Sequence, residues 1–478
     1  METLNDQPAG AGPAQPGSGA ALARSVGGAA LIGYALLLAT LSWLLSEGRL
    51  GVDAALLWLA GGSMLAGALY LLAATKAQRA RAAPPLWLLL AVFIGARLIV
   101  GVAPPMLETD FYRYMWDGGV TVAGLNPYMH TPNDAMLAAH EPGDPIGEIA
   151  RRGESVLERV NHPHLTTIYP PVAQAAFAAA HLIDPFGVAG LRAVFLLADL
   201  CTLALLLKLL GVLGLPRSQI LWYAWNPLLL REVYSSVHMD ILLLPLIALA
   251  ILAVAAKRRT IGAACCVVAS AIKVWPVLLV PVLLRPLAPP LGRLIFAGAA
   301  CAALALVLWS PVLLVEHASD SGFVAYGKGW QNNDGFFRAG IWATERMLAL
   351  TGHELWRSHT IMRIVSVSLV ASVVAWCSWK SPRGARETAR SCLIVVAAVF
   401  LLSPTQFPWY WLWLLPLLTL TPFIPLLLYT ALLPLYYAQD QIPFVHWIQH
   451  APVWALLAIA WLRRRPGGPR PTKEAEHA

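Results

Sequence analysis

The sequence predicts an all-α protein that crosses a lipid bilayer many times. Of its 478 residues, 58% are hydrophobic and only 13% are charged, whereas soluble globular domains carry about a quarter charged residues. The apolar residues form long continuous runs near the roughly 20 residues that one helical crossing needs. A transmembrane barrel would instead show alternating segments of about ten residues. The 19 tryptophans and 36 prolines fit interfacial anchors and broken helices.

Charge placement indicates a topology and excludes one class of partner. The net charge is +8, and the basic residues cluster in short connections between apolar runs, as the positive-inside rule expects. Such clusters are not the continuous basic face of a nucleic-acid-binding protein, so we expect no nucleic acid partner. The clusters are Lys76, Arg79 and Arg81; Lys257–Arg259; Lys380, Arg383, Arg386 and Arg390; and Arg463–Arg465.

The cysteines do not predict a covalent framework. All six lie in apolar runs, and none lies in a loop that we assign to the outer side of the membrane. Neither a disulfide framework nor a zinc site is therefore indicated.

The amino-terminal segments follow from composition and charge. Residues 1–24 are rich in Gly, Ala and Pro, and we expect a disordered cytoplasmic tail, not a cleaved signal peptide. Candidate spans follow at about 27–46, 52–74 and 85–103. Placing the basic residues between the second and third spans inside puts the loop 104–167 outside.

Two later segments are ambiguous. The segment 168–183 is short for a span, so we expect a partial or surface-lying helix. The run 260–284 is interrupted by Lys273 and Pro276, and a pair of broken half-helices with Lys273 near its turn restores the charge alternation. The other spans are expected near 188–210, 217–235, 238–256, 293–315, 357–378, 391–406, 409–421, 422–437 and 451–463.

These segments predict one membrane domain, residues 25–465, with about 11–13 spans. A large outer loop follows the third span, and a second outer loop covers 316–356. Residues 466–478 are predicted to form a cytoplasmic tail. The domain shows no internal repeat of the kind found in many transporters.

The stretch Leu107–Tyr128 concentrates ionisable chemistry beside the bilayer. It holds Glu108, Asp110, Arg113 and Asp117 among aromatics, and ionisable groups at membrane proteins' apolar borders are often functional. If Thr109 caps a short helix, Asp110, Arg113 or Tyr114, and Asp117 share one face. The alternative is a solvated loop helix whose charges only keep it out of the lipid.

Four further polar groups are assigned to the same side, each with a structural alternative. Glu232 leads to His238 and Asp240, which could simply form a polar helix end. Lys273 lies in an apolar run, where a cation needs a partner or water unless it snorkels to the interface.

The other two groups lie in the second outer loop and near residue 410. Trp330, Asn333 and Asp334, followed by Arg338, offer an aromatic platform, an amide and a carboxylate suited to sugar hydroxyls, or an ordinary turn. Trp409 and Tyr410 either line a site or anchor helix ends. His162 and His164 have no clustered partner for a metal, so a structural role is expected.

Taken together, these motifs resemble the integral-membrane glycosyltransferases of the GT-C fold, and more narrowly glycosyltransferase family 87 and the bacterial polyprenyl-phosphate-mannose-dependent mannosyltransferases. The resemblance extends over residues 108–410. Its motifs are Asp110–Gly118 with Asn126-Pro127-Tyr128, Tyr169-Pro170-Pro171, Asn226-Pro227 with His238 and Asp240, Lys273–Pro276, Trp330–Asp334 and Pro408-Trp409-Tyr410.

The resemblance implies transfer of one sugar, most simply mannose, from a polyprenyl-phosphate donor to a hydroxyl of a glycan or glycolipid acceptor. Asp110 matches the family's general base, and Asp117 is a partner behind it. Lys273, then Arg113 and Arg338, are candidates to stabilise the phosphate leaving group. Substrate contacts are expected from Arg113, Asp117, Asn126, Tyr169, Glu232, His238, Asp240, Lys273, Trp330, Asn333, Asp334, Arg338, Trp409 and Tyr410.

Two features depart from the family pattern. Glu108 and Asp110 are separated by Thr109, so an acidic pair that holds a divalent metal is possible but not required, and no metal ligand is assigned. The amino terminus also adds two spans before the catalytic loop, which in the family follows the first span.

The expected location is the bacterial inner membrane, with the active site facing the periplasm or exterior. One alternative is a transporter or flippase of a lipid-linked sugar, which would explain broken helices and Lys273 but favours an internal repeat. The other is a non-catalytic membrane scaffold, which would not require Asp110 and Lys273 to share a cavity.

Overall fold

The computed structural model describes residues 18–315 and 321–463. Within these residues the protein is helical without a β-strand, and an isolated bridge joins Asn332 and Thr405. The predicted all-α class is therefore confirmed. Most of the predicted amino-terminal tail and all of the predicted carboxyl-terminal tail lie outside the described residues, although the first helix already begins at Ser18.

The helices vary greatly in length. The α-helices are α1 (Ser18–Ser46), α2 (Val52–Arg79), α3 (Leu86–Gly101), α4 (Asp110–Val122), α5 (Pro132–Ala138), α6 (Pro145–Arg152), α7 (Glu154–Leu157), α8 (Pro171–Ile183), α9 (Val188–Val212), α10 (Leu221–Ala224), α11 (Pro227–Leu229), α12 (Leu244–Ala255), α13 (Arg259–Ser270), α14 (Val280–Leu284), α15 (Leu291–Leu313), α16 (Gly322–Gly329), α17 (Phe336–Leu350), α18 (Arg357–Trp379), α19 (Ala385–Leu402), α20 (Leu415–Leu420), α21 (Ile424–Leu427), α22 (Tyr429–Leu432) and α23 (Val445–Leu462). A π-helix covers Leu230–Ser235, and 3-10 helices cover Arg217–Ile220, Met239–Leu243, Trp275–Leu279, Arg285–Leu287, Pro408–Leu414 and Leu433–Ala438.

Six helices of the described chain are long and apolar enough to cross a bilayer: α1, α2, α9, α15, α18 and α23. A seventh span results if the bent pair Arg217–Ser235 and Met239–Ala255 is counted as one. The other predicted spans are present as shorter or interrupted helices, except α19, whose 18 residues begin with a charged stretch. The polytopic membrane fold is thus confirmed, while length and composition support fewer complete crossings than the 11–13 expected.

The two ambiguous segments are indeed interrupted or short. Helix α8 has 13 residues and extends only about 20 Å, less than the roughly 30 Å of a hydrocarbon core. Helix α13 ends at Ser270, and a separate 3-10 helix begins at Trp275. Lys273 lies in this break, as the interrupted hydropathy predicted.

The sharpest break brings polar residues to the interior. The chain turns by 116° between Ser235 and Met239, and Val237 adopts a φ of 60°, a conformation uncommon for a β-branched residue. His238 and Asp240 follow directly and are buried. Because backbone groups freed at such a break need partners in lipid, this geometry is tolerated only inside the protein or along a cavity.

Helix α4 is fixed by close packing against α8, and a buried ion pair ties α3 to α9 in the bundle core. A Cβ on Gly118 would lie 2.5 Å from the carbonyl oxygen of Phe177 in α8, so α4 and α8 approach too closely for a larger residue. In the bundle core, Arg97 Nε donates to Asp199 Oδ2 at 3.0 Å, with both side chains 0% exposed. Tyr223 and Tyr234 donate to the same carboxylate, which ties α3 to α9.

Candidate active site

One cavity of about 480 Å³ collects polar residues from distant parts of the chain. It lies where the start of α4, the loop before α8, the break after α13 and the 3-10 helix Pro408–Leu414 meet. Seven of the predicted site residues line it: Asp110, Arg113, Tyr169, Lys273, Trp330, Trp409 and Tyr410.

Asp110 is the first residue of α4 and faces the cavity. The helix begins where predicted, but the Thr109 side chain does not cap it. Its hydroxyl instead accepts a hydrogen bond from Asn161 Nδ2 at 2.6 Å. The same amide nitrogen lies 3.4 Å from Asp110 Oδ1. The expected cap is therefore wrong, and Asn161 holds both residues at the cavity edge.

Burial shifts the pKa of both carboxyl groups at this edge upward. Burial raises the pKa of Asp110, and the positive charge of Lys273 and the Asn161 hydrogen bond oppose this rise. Burial also raises the pKa of Glu108 to about 8, with a further increase from the charges of Asp110 and Glu232. A carboxyl group with a pKa in this range can take up and release a proton near neutral pH.

Replacing Glu108 by glutamine should flatten the pH dependence of thermal stability. Because the folded-state pKa of Glu108 lies above its ordinary value of 4.5, the protonated form stabilises the fold. This contribution is complete below that ordinary value and is lost as the pH rises through about 8. In melting curves of the detergent-solubilised protein between about pH 5 and pH 9, Tm of the wild type should fall more than Tm of Glu108→Gln. If Tm of both proteins changed equally with pH, the raised pKa would not belong to Glu108.

Asp117 and Arg113 form a buried pair behind the cavity wall. Arg113 Nε donates to Asp117 Oδ1 at 2.9 Å, and Arg113 Nη1 donates to the carbonyl of Leu165 at 3.0 Å. Thr167 and Gln174 donate to the other Asp117 oxygen. Asp117 thus does not line the cavity but fixes the loop that carries Tyr169, which fits a role as partner behind the base.

Lys273 presents the amino group that is best placed for an anion. Its Nζ donates to Asp240 Oδ1 at 2.8 Å and lies 4.0 Å from the centre of the Tyr410 ring. Trp413 Nε1 donates to the same carboxylate oxygen at 2.6 Å. Lys273 is 17% exposed and Asp240 1%. Asp240 therefore orients the lysine from behind, and this pairing disfavours a lysine that snorkels to the interface.

Glu232 and His238 lie one layer deeper. The His238 ring stacks on Trp409 with centres 3.7 Å apart, and Trp409 lines the cavity. Glu232 Oε2 accepts a hydrogen bond from Tyr437 and lies 3.8 Å from His238 Nε2. Both side chains are fully buried, so they support Trp409 and do not reach the cavity in this structure.

The remaining predicted residues have other partners and lie outside the cavity lining. Asn126 Nδ2 donates to the carbonyl of Pro311. Asn333 is buried against Gln406 and Gln449. Asp334 accepts hydrogen bonds from Gln331 and from Arg338, at 2.9 and 3.4 Å. The neighbouring Asn332, which we did not select, reaches the cavity instead.

Several lining residues were missed by sequence reasoning. Asn161 and His162 lie at the exposed rim, where the His162 ring is 4.9 Å from that of Trp330. The only local sign was their position in a long polar loop, where function is common. Glu108, Tyr326, Asn332, Trp413 and Tyr436 also line the cavity.

The described residues contain no group of three or more His, Cys, Asp or Glu side chains that could hold a metal ion. Glu108 and Asp110 both line the cavity and would supply two carboxylate ligands, of the kind that Mg²⁺ and Mn²⁺ accept.

Comparison with known proteins identifies the class and then the family. A helical membrane protein with a carboxylate and a lysine on one cavity fits a membrane-embedded glycosyltransferase, and the sequence comparisons establish that class. The sequence model described as "Alpha-(1->6)-mannopyranosyltransferase, N-terminal domain" matches residues 16–289. The chain belongs to this family, and it is a mannosyltransferase enzyme, as the motifs predicted.

A relative in a named organism agrees with this assignment. The chain is 27% identical over 402 residues to alpha-(1->6)-mannopyranosyltransferase A of Mycobacterium tuberculosis, covering 78% of this chain and 72% of that protein. No solved structure matches. The family gives no support to the alternative of a transporter.

Proposed function

We propose that this protein transfers one mannosyl group from a polyprenyl-phosphate donor to a hydroxyl of a mannose-containing glycan on the outer face of the membrane. The observation that carries the proposal is the shared cavity of Asp110 and Lys273, whose charges interact across it. A proton acceptor and a cation on one cavity are what displacement of a phosphate by a hydroxyl requires.

Asp110 acts as the general base in this scheme. The acceptor hydroxyl gives its proton to the Asp110 carboxylate as its oxygen forms a bond to the anomeric carbon. The bond from that carbon to the phosphate oxygen breaks, and its electron pair remains on the polyprenyl phosphate. One displacement inverts the anomeric centre, so a β-linked donor yields an α-linked product.

Lys273 is the strongest candidate to stabilise the leaving phosphate. Its ammonium faces the cavity, whereas the Arg113 guanidinium is engaged by Asp117 and Leu165. Arg338 lies outside the lining and pairs with Asp334. A fixed cation aimed at developing negative charge lowers the barrier without having to reorganise during the reaction.

The cavity lining has an apolar part and a polar part, and we assign each substrate to the part that matches its chemistry. Val274 is 55% exposed beside Lys273, and Ile168, Ile272 and Phe323 continue this apolar side. We assign the polyprenyl tail to it, because a lipid-exposed apolar edge next to the cation brings the donor phosphate to Lys273 from the bilayer.

Another part of the lining is polar and aromatic and suits the acceptor glycan. Asn161 and His162 are exposed there, and His162 lies against Trp330, which in turn lies 5.6 Å from Tyr326. Pyranose C–H groups pack on the negative face of such rings. Because Asn161 also contacts Asp110, a sugar on this edge places a hydroxyl beside the base.

Replacing His162 by alanine should raise KM for the acceptor about fivefold and leave KM for the donor unchanged, since the loss of one ring contact is worth on the order of 1 kcal/mol. His164→Ala is the matched control, because His164 is exposed in the same loop but does not line the cavity. Steady-state kinetics with a short mannooligosaccharide acceptor would show this. A change in donor KM, or equal effects of both variants, would remove His162 from the acceptor side.

The donor class is tested with purified full-length protein in liposomes. Radiolabelled polyprenyl-phosphate mannose should label a mannooligosaccharide acceptor, whereas a nucleotide-linked mannose should not. Transfer from the nucleotide sugar alone would overturn the proposal. A chelator arm tests whether transfer needs a divalent cation: transfer that stops with chelator and returns with Mg²⁺ or Mn²⁺ would show that it does, with Glu108 and Asp110 as the candidate ligands.

A further inference from the structure

A second cavity of about 620 Å³ lies on a different side of the bundle. It is a groove between α19 and α23, and its lining shares no residue with the active-site cavity. Leu393, Ala397 and Leu401 line it from α19, and Trp454 and Leu457 line it from α23. Its size is within the range of small-molecule and cofactor sites.

The lining is apolar except for Arg390 at one end and for Thr421, whose hydroxyl donates to the carbonyl of Leu417. Arg390 is the charged residue of the groove, and it is exposed. Among the described residues, its guanidinium makes neither a hydrogen bond nor an ion pair. Arg383 and Arg386 precede it on the same segment, so this end of α19 is strongly basic. A free guanidinium is a good partner for a phosphate, which it binds with two parallel N–H groups.

The length of the groove matches one leaflet of a bilayer. From Arg390 to Leu402, both of which line it, α19 rises by about 18 Å, and one half of a hydrocarbon core is about 15 Å deep. Helix α23 is itself long and apolar enough to span a membrane. An elongated apolar ligand from the bilayer can therefore lie along α19 with its polar end at Arg390.

We propose that this groove binds one anionic phospholipid, with the phosphate on Arg390 and an acyl chain between α19 and α23. Anionic lipids collect at the membrane face that carries basic segments, which fits the charge of this end of α19. The proposal concerns a site apart from mannosyl transfer and does not depend on the donor assigned above.

The position of the groove disfavours the polyprenyl-phosphate donor as its ligand. The far end of α19 leads through Pro404 to Asn332, whose backbone N–H donates to the Pro404 carbonyl and whose side chain lines the active-site cavity. A phosphate on Arg390 would thus lie at the end of α19 that points away from Lys273, about a helix length from the reacting centre.

Native mass spectrometry of the full-length protein in detergent tests the proposal. Phosphatidylglycerol should form a one-to-one adduct about fivefold tighter than phosphatidylethanolamine, because both lipids carry the phosphate but only phosphatidylglycerol has a net negative charge for Arg390 to attract. Arg390→Gln should abolish that preference, whereas Arg383→Gln, an equal loss of charge outside the groove, should keep it. Ala398→Phe, which fills the groove, should weaken both adducts.

Three results would overturn the proposal. These are equal binding of the two lipids by the wild type, equal effects of Arg390→Gln and Arg383→Gln, and displacement of phosphatidylglycerol by polyprenyl phosphate at lower concentration. Melting curves of each variant show whether it is folded. If Ala398→Phe does not fold, the comparison of Arg390→Gln with Arg383→Gln still tests the proposal.

Discussion

Replacing Asp110 by asparagine is expected to lower kcat for mannosyl transfer by about 10²- to 10⁴-fold, the usual contribution of a positioned general base. Asparagine has nearly the same shape and can still face Asn161, but it cannot accept the proton of the attacking hydroxyl. Donor KM should change little, because Lys273 and the apolar edge remain intact. The measurement is initial-rate transfer by purified protein with saturating donor and acceptor.

The control for this variant is another carboxylate of the same loop region, between α3 and α8. Glu154 lies in α7, is exposed and does not line the cavity, so Glu154→Gln should retain wild-type kcat. Equal melting temperatures of the three proteins would exclude a folding defect. If Asp110→Asn kept wild-type kcat, Asp110 would not be the base, and Glu108 on the same cavity would become the candidate.

Replacing Lys273 by methionine is expected to lower kcat about 10²- to 10³-fold, as removal of one group that stabilises transition-state charge does elsewhere. Lys273→Arg should retain part of the activity because it keeps the positive charge. Lys273→Met also leaves the Asp240 carboxylate, 1% exposed, without its cation, and breaking a buried pair in this way costs about 3–5 kcal/mol of stability.

A double variant separates catalysis from folding. Lys273→Met with Asp240→Asn removes both charges, and asparagine can still accept the Trp413 hydrogen bond, so thermal stability should recover while activity does not. Recovery of activity together with stability would show that Lys273 acts only by holding the fold. The two measurements are Tm and kcat for both single variants and the double variant.

The parts of the fold and site that local sequence determines were predictable. Hydropathy gave the all-α membrane class, and the interruption at Lys273 and Pro276 marked a real break between α13 and the 3-10 helix at Trp275. Asp110 stood out because it begins a polar helix between apolar segments. Spacing also placed Arg113 or Tyr114 on one face of α4 with Asp117, and in the structure it is Arg113, four residues away, that pairs with Asp117.

Contacts between distant segments were not predictable. Asn161 reaches Thr109 and Asp110 across about fifty residues, and nothing near Asn161 indicates this. The same holds for Asn332, which reaches the cavity while Asn333 turns into the core. Which of two adjacent asparagines faces the cavity depends on the local backbone conformation, and here Asn333 has a φ of 48°.

The span count was uncertain for a related reason. Helix α20 is apolar and buried along its whole length, so its hydrophobic residues face protein and not lipid. Hydropathy cannot distinguish these two apolar environments, because both remove the side chain from water. Short buried helices around the prolines of residues 408–438 were therefore read as complete crossings.

The configuration of the product tests the central claim, a single displacement in the Asp110–Lys273 cavity, most directly. Purified protein would be given β-linked polyprenyl-phosphate mannose and a mannooligosaccharide, and NMR would determine the new linkage. An α-linked product, formed without a mannosyl–protein adduct, is the predicted result. A β-linked product, or a covalent adduct that accumulates before acceptor is added, would contradict it.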